Sequence, residues 1–176
     1  MAGREFGISD DETSGSRWPL DHLFLDQEGI PTLVEVKRSS NRELQRQVVG
    51  QMFDYAANAI RYGDVDRIRH LFREGHEEPE EKLQRHLGVF DPEAYWNKVR
   101  DNLDRGEIRM VFVADQIPSE LRRIVEFLNG ELVPAEVLGV EVTQYKGDGL
   151  KIPVPRVVGQ TAEADLVRGV RAEINR

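Results

Sequence analysis

The chain has 176 residues, of which 39% are hydrophobic and 32% are charged, and it contains no cysteine. This length suits one globular domain, and the lack of cysteine excludes disulfide frameworks, thiol nucleophiles and zinc–thiolate sites. No apolar run approaches the roughly 20 residues that a membrane span requires. We therefore expect a cytoplasmic protein with no membrane partner.

The net charge of −8 is unevenly distributed along the chain. Residues 37–73 hold 8 basic and 4 acidic residues, whereas residues 1–36 and 74–176 each carry a net charge of −6. A local positive surface can contact phosphates on an otherwise acidic protein, so DNA is not excluded as a partner. A solvated, arginine-rich helix face explains the same composition.

The first elements in chain order are three short strands, predicted at residues 4–8, 20–25 and 32–37. The second and third are joined by a linker that suits a three-residue hairpin loop at Gln27-Glu28-Gly29. In such a loop Gly29 takes the left-handed conformation. The pattern therefore predicts a tight β-hairpin.

Helices are predicted for the middle of the chain. Ser40 and Glu43 have capping-box spacing, so the first helix should begin near Asn41 and end at about Tyr62. Residues 64–106 look like an inserted helical region. Within it, Asp91-Pro92-Glu93 has the pattern of an N-cap, an N1 proline and a first-turn acid, which predicts a helix to about Asp104.

The C-terminal half favours a βαβ unit, with a strand at Ile108–Ala114, a helix at Ser119–Asn129 closed by Gly130, and a strand at Glu136–Tyr145. Residues 147–160 contain glycines and two prolines and are predicted to be a loop. We expect one domain over residues 1–160 and a helical tail over 161–176.

Chemistry is suggested by the third strand, Leu33-Val34-Glu35-Val36-Lys37. Side chains alternate between the two faces of a strand, so Glu35 and Lys37 share one face while Val34 and Val36 are expected to be buried on the other. The carboxylate and the amine can then reach one point in front of the sheet. A solvent-facing ion pair at a surface hairpin is the alternative interpretation.

The predicted hairpin adds a second carboxylate. Counting outward from the loop pairs Leu23 with Leu33 and Asp21 with Glu35, which places two acidic residues directly opposite each other. Like charges at that separation are destabilising unless a cation lies between them, and Mg²⁺ prefers carboxylate oxygens. The hairpin therefore predicts a Mg²⁺ site beside a lysine, in which Mn²⁺ could substitute.

Such a site suits hydrolysis of phosphodiester bonds. A bound metal ion can activate water and neutralise charge that develops on phosphate. Lys37 can orient the water or stabilise that charge. We therefore predict Asp21, Glu35 and Lys37 as the catalytic residues.

These residues, followed by a helix that carries Gln51-Met52-Phe53-Asp54-Tyr55, resemble the PD-(D/E)XK nuclease superfamily. The Gln-x-x-x-Tyr element is similar to that of its RecB-like and lambda-exonuclease-like branch. Residues 21–58, Trp96–Asp115 and 154–161 also resemble an uncharacterised bacterial family of endonuclease-like proteins. The resemblance covers about three quarters of the chain.

The resemblance implies an α/β fold of the α+β three-layer type, a restriction-endonuclease-like mixed central sheet flanked by helices. It implies that Asp21 and Glu35 bind the metal together with the carbonyl of Val36. Gln51 and Tyr55 would position Lys37 or DNA from the helix, although packing of the helix on the sheet explains them equally well. The family's first core helix is missing from the predicted elements.

Three arginines, Arg38, Arg42 and Arg46, are predicted contacts to DNA phosphates, and the alternative is that they are ordinary exposed residues. The function expected from the sequence is that of a Mg²⁺-dependent deoxyribonuclease. The alternative is a non-catalytic nuclease-like module for nucleic-acid binding, assembly or dimerisation, in which case a homodimer is expected.

Overall fold

The computed structural model describes residues 3–7, 19–37, 44–62, 65–147 and 149–160. Within these ranges the side chains of 3–7, 19–21, 44–47 and 61–62 lie outside the description. The described strands are β1 (Gly3–Gly7), β2 (Pro19–Leu25), β3 (Pro31–Lys37), β4 (Arg109–Ala114), β5 (Glu136–Gly147) and β6 (Leu150–Val158). The described helices are α1 (Leu44–Tyr62), α2 (Val65–Glu74), α3 (Pro79–Leu87), α4 (Pro92–Asp104) and α5 (Ser119–Glu131).

The described strands form one mixed sheet whose spatial order is the order of the chain, from β1 to β6. Strands β1, β2 and β3 are antiparallel neighbours, whereas β3, β4 and β5 run parallel. Strand β6 returns antiparallel to β5. The predicted βαβ unit is confirmed, with α5 as the crossover between β4 and β5, and the chain belongs to the α/β class.

The hairpin between β2 and β3 has the predicted register. Leu23 pairs with Leu33, and Gly29 adopts a φ of 70°. The Asp26 carboxylate closes the loop by accepting hydrogen bonds from the backbone N–H groups of Glu28 and Ile30, each at 2.9 Å. Asp26 therefore fixes the turn from which the alignment of both strands follows.

The main core lies on one face of the sheet, where helices α1, α4 and α5 cover the strands. It joins Leu33 of β3 and Met110 of β4 to apolar side chains of the helices. Those helical side chains include Val48, Met52, Tyr55, Trp96, Val99 and Val125. Because Leu33 lies in this core, the residues two positions along β3 face the same helices.

The opposite face of the sheet carries a smaller cluster made of Val34, Val111 and Leu138, with Val113 and Val140 beside it. Each member comes from a strand, and none of the described helices contributes to it. The described part of the chain therefore has two layers, and a third layer remains a prediction.

The sequence-based prediction for residues 147–160 was wrong, because most of that segment is strand β6. Pro153 and Pro155 pair with Gln144 and Val142 of β5. Proline is compatible with a strand at the edge of a sheet, where its missing N–H would face solvent, and β6 is the edge. Helix α5 also continues through Gly130 to Glu131 rather than ending before it.

The predicted helical region at 64–106 contains α2, α3 and α4. The predicted cap of α4 is confirmed, since the Asp91 carboxylate accepts a hydrogen bond from the N–H of Ala94 at 3.0 Å. No helix within the described ranges is long and apolar enough to cross a membrane. The predicted start of the first helix near Asn41 and the tail at 161–176 lie outside the described residues.

Candidate functional site

A buried carboxylate lies near the end of β3. Glu35 is 2% exposed. Its surroundings are apolar, because Leu33, two positions earlier on β3, and its partner on β4, Phe112, are both core residues. Burial of an ionised carboxylate costs several kcal/mol before any compensation. The position of Glu35 in the apolar interior is therefore unfavourable for stability by itself.

An amine compensates part of that cost. The Nζ atom of Lys37 lies 2.7 Å from Oε1 of Glu35, and the Lys37 side chain is 38% exposed. The two residues share one face, as the alternation of the strand predicts. Because the carboxylate is buried, the alternative of a solvent-facing ion pair is wrong.

Asp21 lies on β2, and its side chain is outside the described residues. Its backbone position is nevertheless fixed by the strand, because the register pairs His22 with Val34 and Leu23 with Leu33. Continuing this register by one residue aligns Asp21 with Glu35. The metal-binding role of Asp21 remains a prediction.

The structure corrects the prediction for the side chain of Val36. The sequence predicted a buried side chain, whereas it is 45% exposed. Its partner Val113 is only partly buried, so the apolar cluster of this face ends at the row of Val36. The adjacent Val34, one row further into the sheet, is buried as expected.

Gln51 and Tyr55 lie on α1, which packs against β3. Tyr55 is buried in the same cluster as Leu33 and Met52, on the face of the sheet that carries Glu35. Gln51 is half-buried. Burial supports a packing role for Tyr55, and positioning of Lys37 or DNA by either residue remains a prediction.

The side chains of the three arginines predicted to contact phosphates lie outside the described part of the structure. Arg38 and Arg42 lie outside the described residues. Arg46 lies in α1, but its side chain is also outside the description. Their role remains a prediction.

Among the described residues, no three histidine, cysteine, aspartate or glutamate side chains lie together so that they could hold one metal ion. A site made of Glu35 and one further carboxylate would have only two such side chains. Mg²⁺ commonly uses one or two protein carboxylates and retains waters, so the chemistry of this donor set fits Mg²⁺ better than a metal that needs a full protein cage.

Sequence reasoning missed the residues that hold the hairpin turn. The Tyr95 hydroxyl donates to the carbonyl of Asp26 at 2.7 Å, and Nδ2 of Asn102 donates to the carbonyl of Glu28 at 3.0 Å. Both donors belong to α4, on the face that also carries Val99. A polar Asn102 three residues after Val99 on an apolar face was the available signal, because buried amides need a partner.

Arg109 links the turn to the parallel strands. Its guanidinium donates to Glu136, to Asp26 at 3.4 Å and to Thr32 at 3.4 Å. Burial lowers the pKa of Arg109, but the hydrogen bond and charge of Glu136 and those of Asp26 outweigh it, so the pKa is raised. The guanidinium is thus a permanent cation between the β2–β3 turn, β3 and β5.

Comparison with known proteins finds no matching family model, no matching curated protein and no matching solved structure.

Proposed function

We propose that the protein is a divalent-metal-dependent deoxyribonuclease whose site is centred on Glu35, Lys37 and Asp21. The observation that carries the proposal is the Glu35 carboxylate, 2% exposed, with the amine of Lys37 at 2.7 Å. Replacing a buried ion pair by apolar side chains is often neutral or stabilising. Stability therefore does not explain the pair, and charged groups kept in such a place are candidates for function.

The carboxylates of Glu35 and Asp21 would hold Mg²⁺ or Mn²⁺, with the Val36 carbonyl as a third proposed ligand. When bound, the ion would supply positive charge that neutralises the developing charge of the phosphate. Lys37 would donate a hydrogen bond to a phosphate oxygen or hold the attacking water in place. Its half-exposed side chain can reach both the carboxylate and a substrate in solvent.

The restriction-endonuclease-like fold is part of this proposal. It is supported by a mixed sheet in which the antiparallel β2–β3 hairpin leads into parallel β4 and β5. Further support comes from a helix packed on β3 directly after the candidate site. The superfamily resemblance of the site residues points to the same arrangement.

A test compares wild-type protein with Glu35→Gln and Lys37→Ala on plasmid and single-stranded DNA, with and without Mn²⁺. We expect Glu35→Gln to abolish both cleavage and Mg²⁺ binding, and Lys37→Ala to retain metal binding while reducing turnover by about 10²- to 10³-fold. Glu28→Gln, which removes a surface carboxylate paired with Lys98, is the control and should cleave normally. Unchanged Mg²⁺ affinity of Glu35→Gln by calorimetry would contradict the proposed site.

A second candidate is a non-catalytic nucleic-acid-binding or assembly module that retains this fold. It is favoured by the Lys37 amine, which lies 2.7 Å from the Glu35 carboxylate and compensates its charge directly. In this case the charge of Glu35 is compensated within the protein, without a metal ion. DNA binding or self-association, with no cleavage in Mn²⁺, is the expected result for that candidate.

A further inference from the structure

Strands β5 and β6 continue beyond the rest of the sheet. Strand β4 ends at Ala114, which pairs with Glu141, whereas β5 runs on to Gly147. Residues 142–147 and 149–156, called the arm here, therefore form a two-stranded ribbon. At about 3.4 Å per residue, the six residues that follow Glu141, up to Gly147, carry the ribbon about 20 Å outward.

One face of the arm is apolar and exposed. Tyr145 pairs with Ile152, and these side chains are 61% and 56% exposed. Leu150 and Val154 lie on the same face by alternation and are 65% and 44% exposed. Contiguous exposed apolar side chains of this size commonly mark a binding surface.

The other face of the arm is cationic. Lys146 and Lys151 are exposed and pair directly across the two strands. Like charges in that arrangement are unfavourable, and an anion between them would remove the repulsion. Over residues 142–156 the sequence holds three basic residues, Lys146, Lys151 and Arg156, and one acidic residue, Asp148, in a chain whose net charge is −8.

The arm begins beside the candidate site. Lys37, Ala114 and Glu141 form one row across β3, β4 and β5. Two strand spacings, about 10 Å, therefore separate Lys37 from the base of the arm. By alternation the apolar face of the arm is continuous with the face that carries Glu35, and exposed Arg156 lies at its base opposite Glu141.

Helix α5 holds the parts of β5 and β6 that adjoin the arm inside the sheet. Asn129 of α5 is 1% exposed, and its amide donates to the carbonyl of Gly159 at 3.0 Å and accepts from the N–H of Val137 at 3.1 Å. It thus ties the end of β6 to the start of β5. At the base of the arm, Arg122 of α5 donates to the Glu141 carboxylate at 3.4 Å.

We propose that the arm binds single-stranded nucleic acid and guides it to the candidate site. The bases would stack on Tyr145 and its apolar neighbours, since aromatic rings accept the face of any base. Phosphates would be neutralised by Arg156 and by the Lys146–Lys151 pair, whose long side chains reach a backbone that runs along the edge of the ribbon.

Charge favours a single-stranded nucleic acid over a second copy of the chain as the molecule that occupies the arm. A second copy packed on the apolar face would leave the Lys146–Lys151 pair on the other face without a counter-charge, whereas a nucleic acid supplies negative charge. The inference rests on the proposed function for its substrate, but binding by the arm is measurable without cleavage.

The test measures binding of a labelled single-stranded oligonucleotide and of its duplex by fluorescence anisotropy in EDTA. Tyr145→Leu keeps an apolar side chain but removes the ring, and we expect it to weaken single-strand binding by about 5- to 100-fold. Tyr145→Phe retains the ring and should bind normally. Lys146→Gln with Lys151→Gln should lower the slope of log K against log salt by up to about 1.4.

The matched control is Arg85→Gln with Arg105→Gln, which removes the same charge from exposed positions outside α5, β5 and β6 and should bind like wild type. Equal binding by Tyr145→Leu, Tyr145→Phe and wild type would overturn the inference. A wild-type dimer that Tyr145→Ser with Ile152→Ser converts to monomers, with unchanged DNA affinity, would show that a second copy occupies the arm.

The two proposals fail separately. Arm-dependent binding without any cleavage in Mn²⁺ would retain the arm and reject the nuclease. Cleavage that depends on Glu35 but is insensitive to the arm variants would retain the nuclease and reject the arm.

Discussion

The turn and the open end of the β2–β3 hairpin are stabilised by different kinds of interaction. At the turn, Tyr95 and Asn102 of α4 donate hydrogen bonds to the carbonyls of Asp26 and Glu28. Gly29 packs closely against α4. At the open end, Lys37 compensates the buried charge of Glu35 while remaining half-exposed. The turn is built for stability, and the open end retains charges that stability alone does not require.

The largest effect is expected at the turn. In Gly29→Ala, the new Cβ would lie 3.2 Å from Cγ2 of Val99 and 3.3 Å from its backbone N, at a φ of 70°. The left-handed conformation costs an alanine about 1 kcal/mol, and overpacking adds about 1–3 kcal/mol. We expect a loss of about 3 kcal/mol in the free energy of unfolding, measured with urea. Gly88→Ala is the control, because Gly88 has a similar φ of 68° with open space around it. It should lose only the roughly 1 kcal/mol that the left-handed conformation costs an alanine.

A smaller effect is expected at the open end for Lys37→Met, which keeps the stem of the side chain and removes its charge. Removing one partner of a fully buried ion pair costs about 3–5 kcal/mol. Because Lys37 is 38% exposed, solvent can replace part of its interaction, and we expect a loss of about 2 kcal/mol by urea unfolding.

The double variant Glu35→Leu with Lys37→Met sharpens the comparison. It removes both charges, so its stability should equal or exceed that of wild type, while the proposed cleavage should be lost. A double variant as unstable as Lys37→Met alone would show that Glu35 has a structural role there.

The smallest effect is expected for Tyr95→Phe, which removes the 2.7 Å hydrogen bond to the Asp26 carbonyl but keeps the ring. Burial and then the charge of Asp26 raise the pKa of the Tyr95 hydroxyl well above its usual range, so it remains a donor in all ordinary buffers. We expect the free energy of unfolding to fall by about 1 kcal/mol. The loss should be the same at about pH 6 and at about pH 9. Lys98→Gln, which breaks an exposed pair with Glu28, should change stability far less.

Local patterns in the sequence predicted most of the strands and helices. The hairpin register followed from loop length and Gly29, and the α4 cap followed from Asp91-Pro92-Glu93. Strand β6 was missed because prolines oppose strands in general and are allowed only at an edge. Whether a segment forms an edge depends on its neighbours in space, which periodicity does not report.

For the candidate site, alternation in β3 correctly placed Glu35 and Lys37 on one face. The depth of burial of Glu35 and the exposure of Val36 depend on where the helices and the valine cluster end. The contacts of Tyr95 and Asn102 cross about 70 positions of the chain, and local spacing cannot reveal their partners.

The two prolines of β6 have a consequence for the behaviour of the protein in concentrated solution. A long ribbon with exposed apolar residues is a template on which other molecules can add strands and grow into fibres. Pro153 and Pro155 remove two amide donors from the outer edge of the sheet, so an incoming strand would find an incomplete ladder. The arm can thus expose an apolar face while its β6 edge resists the addition of further strands.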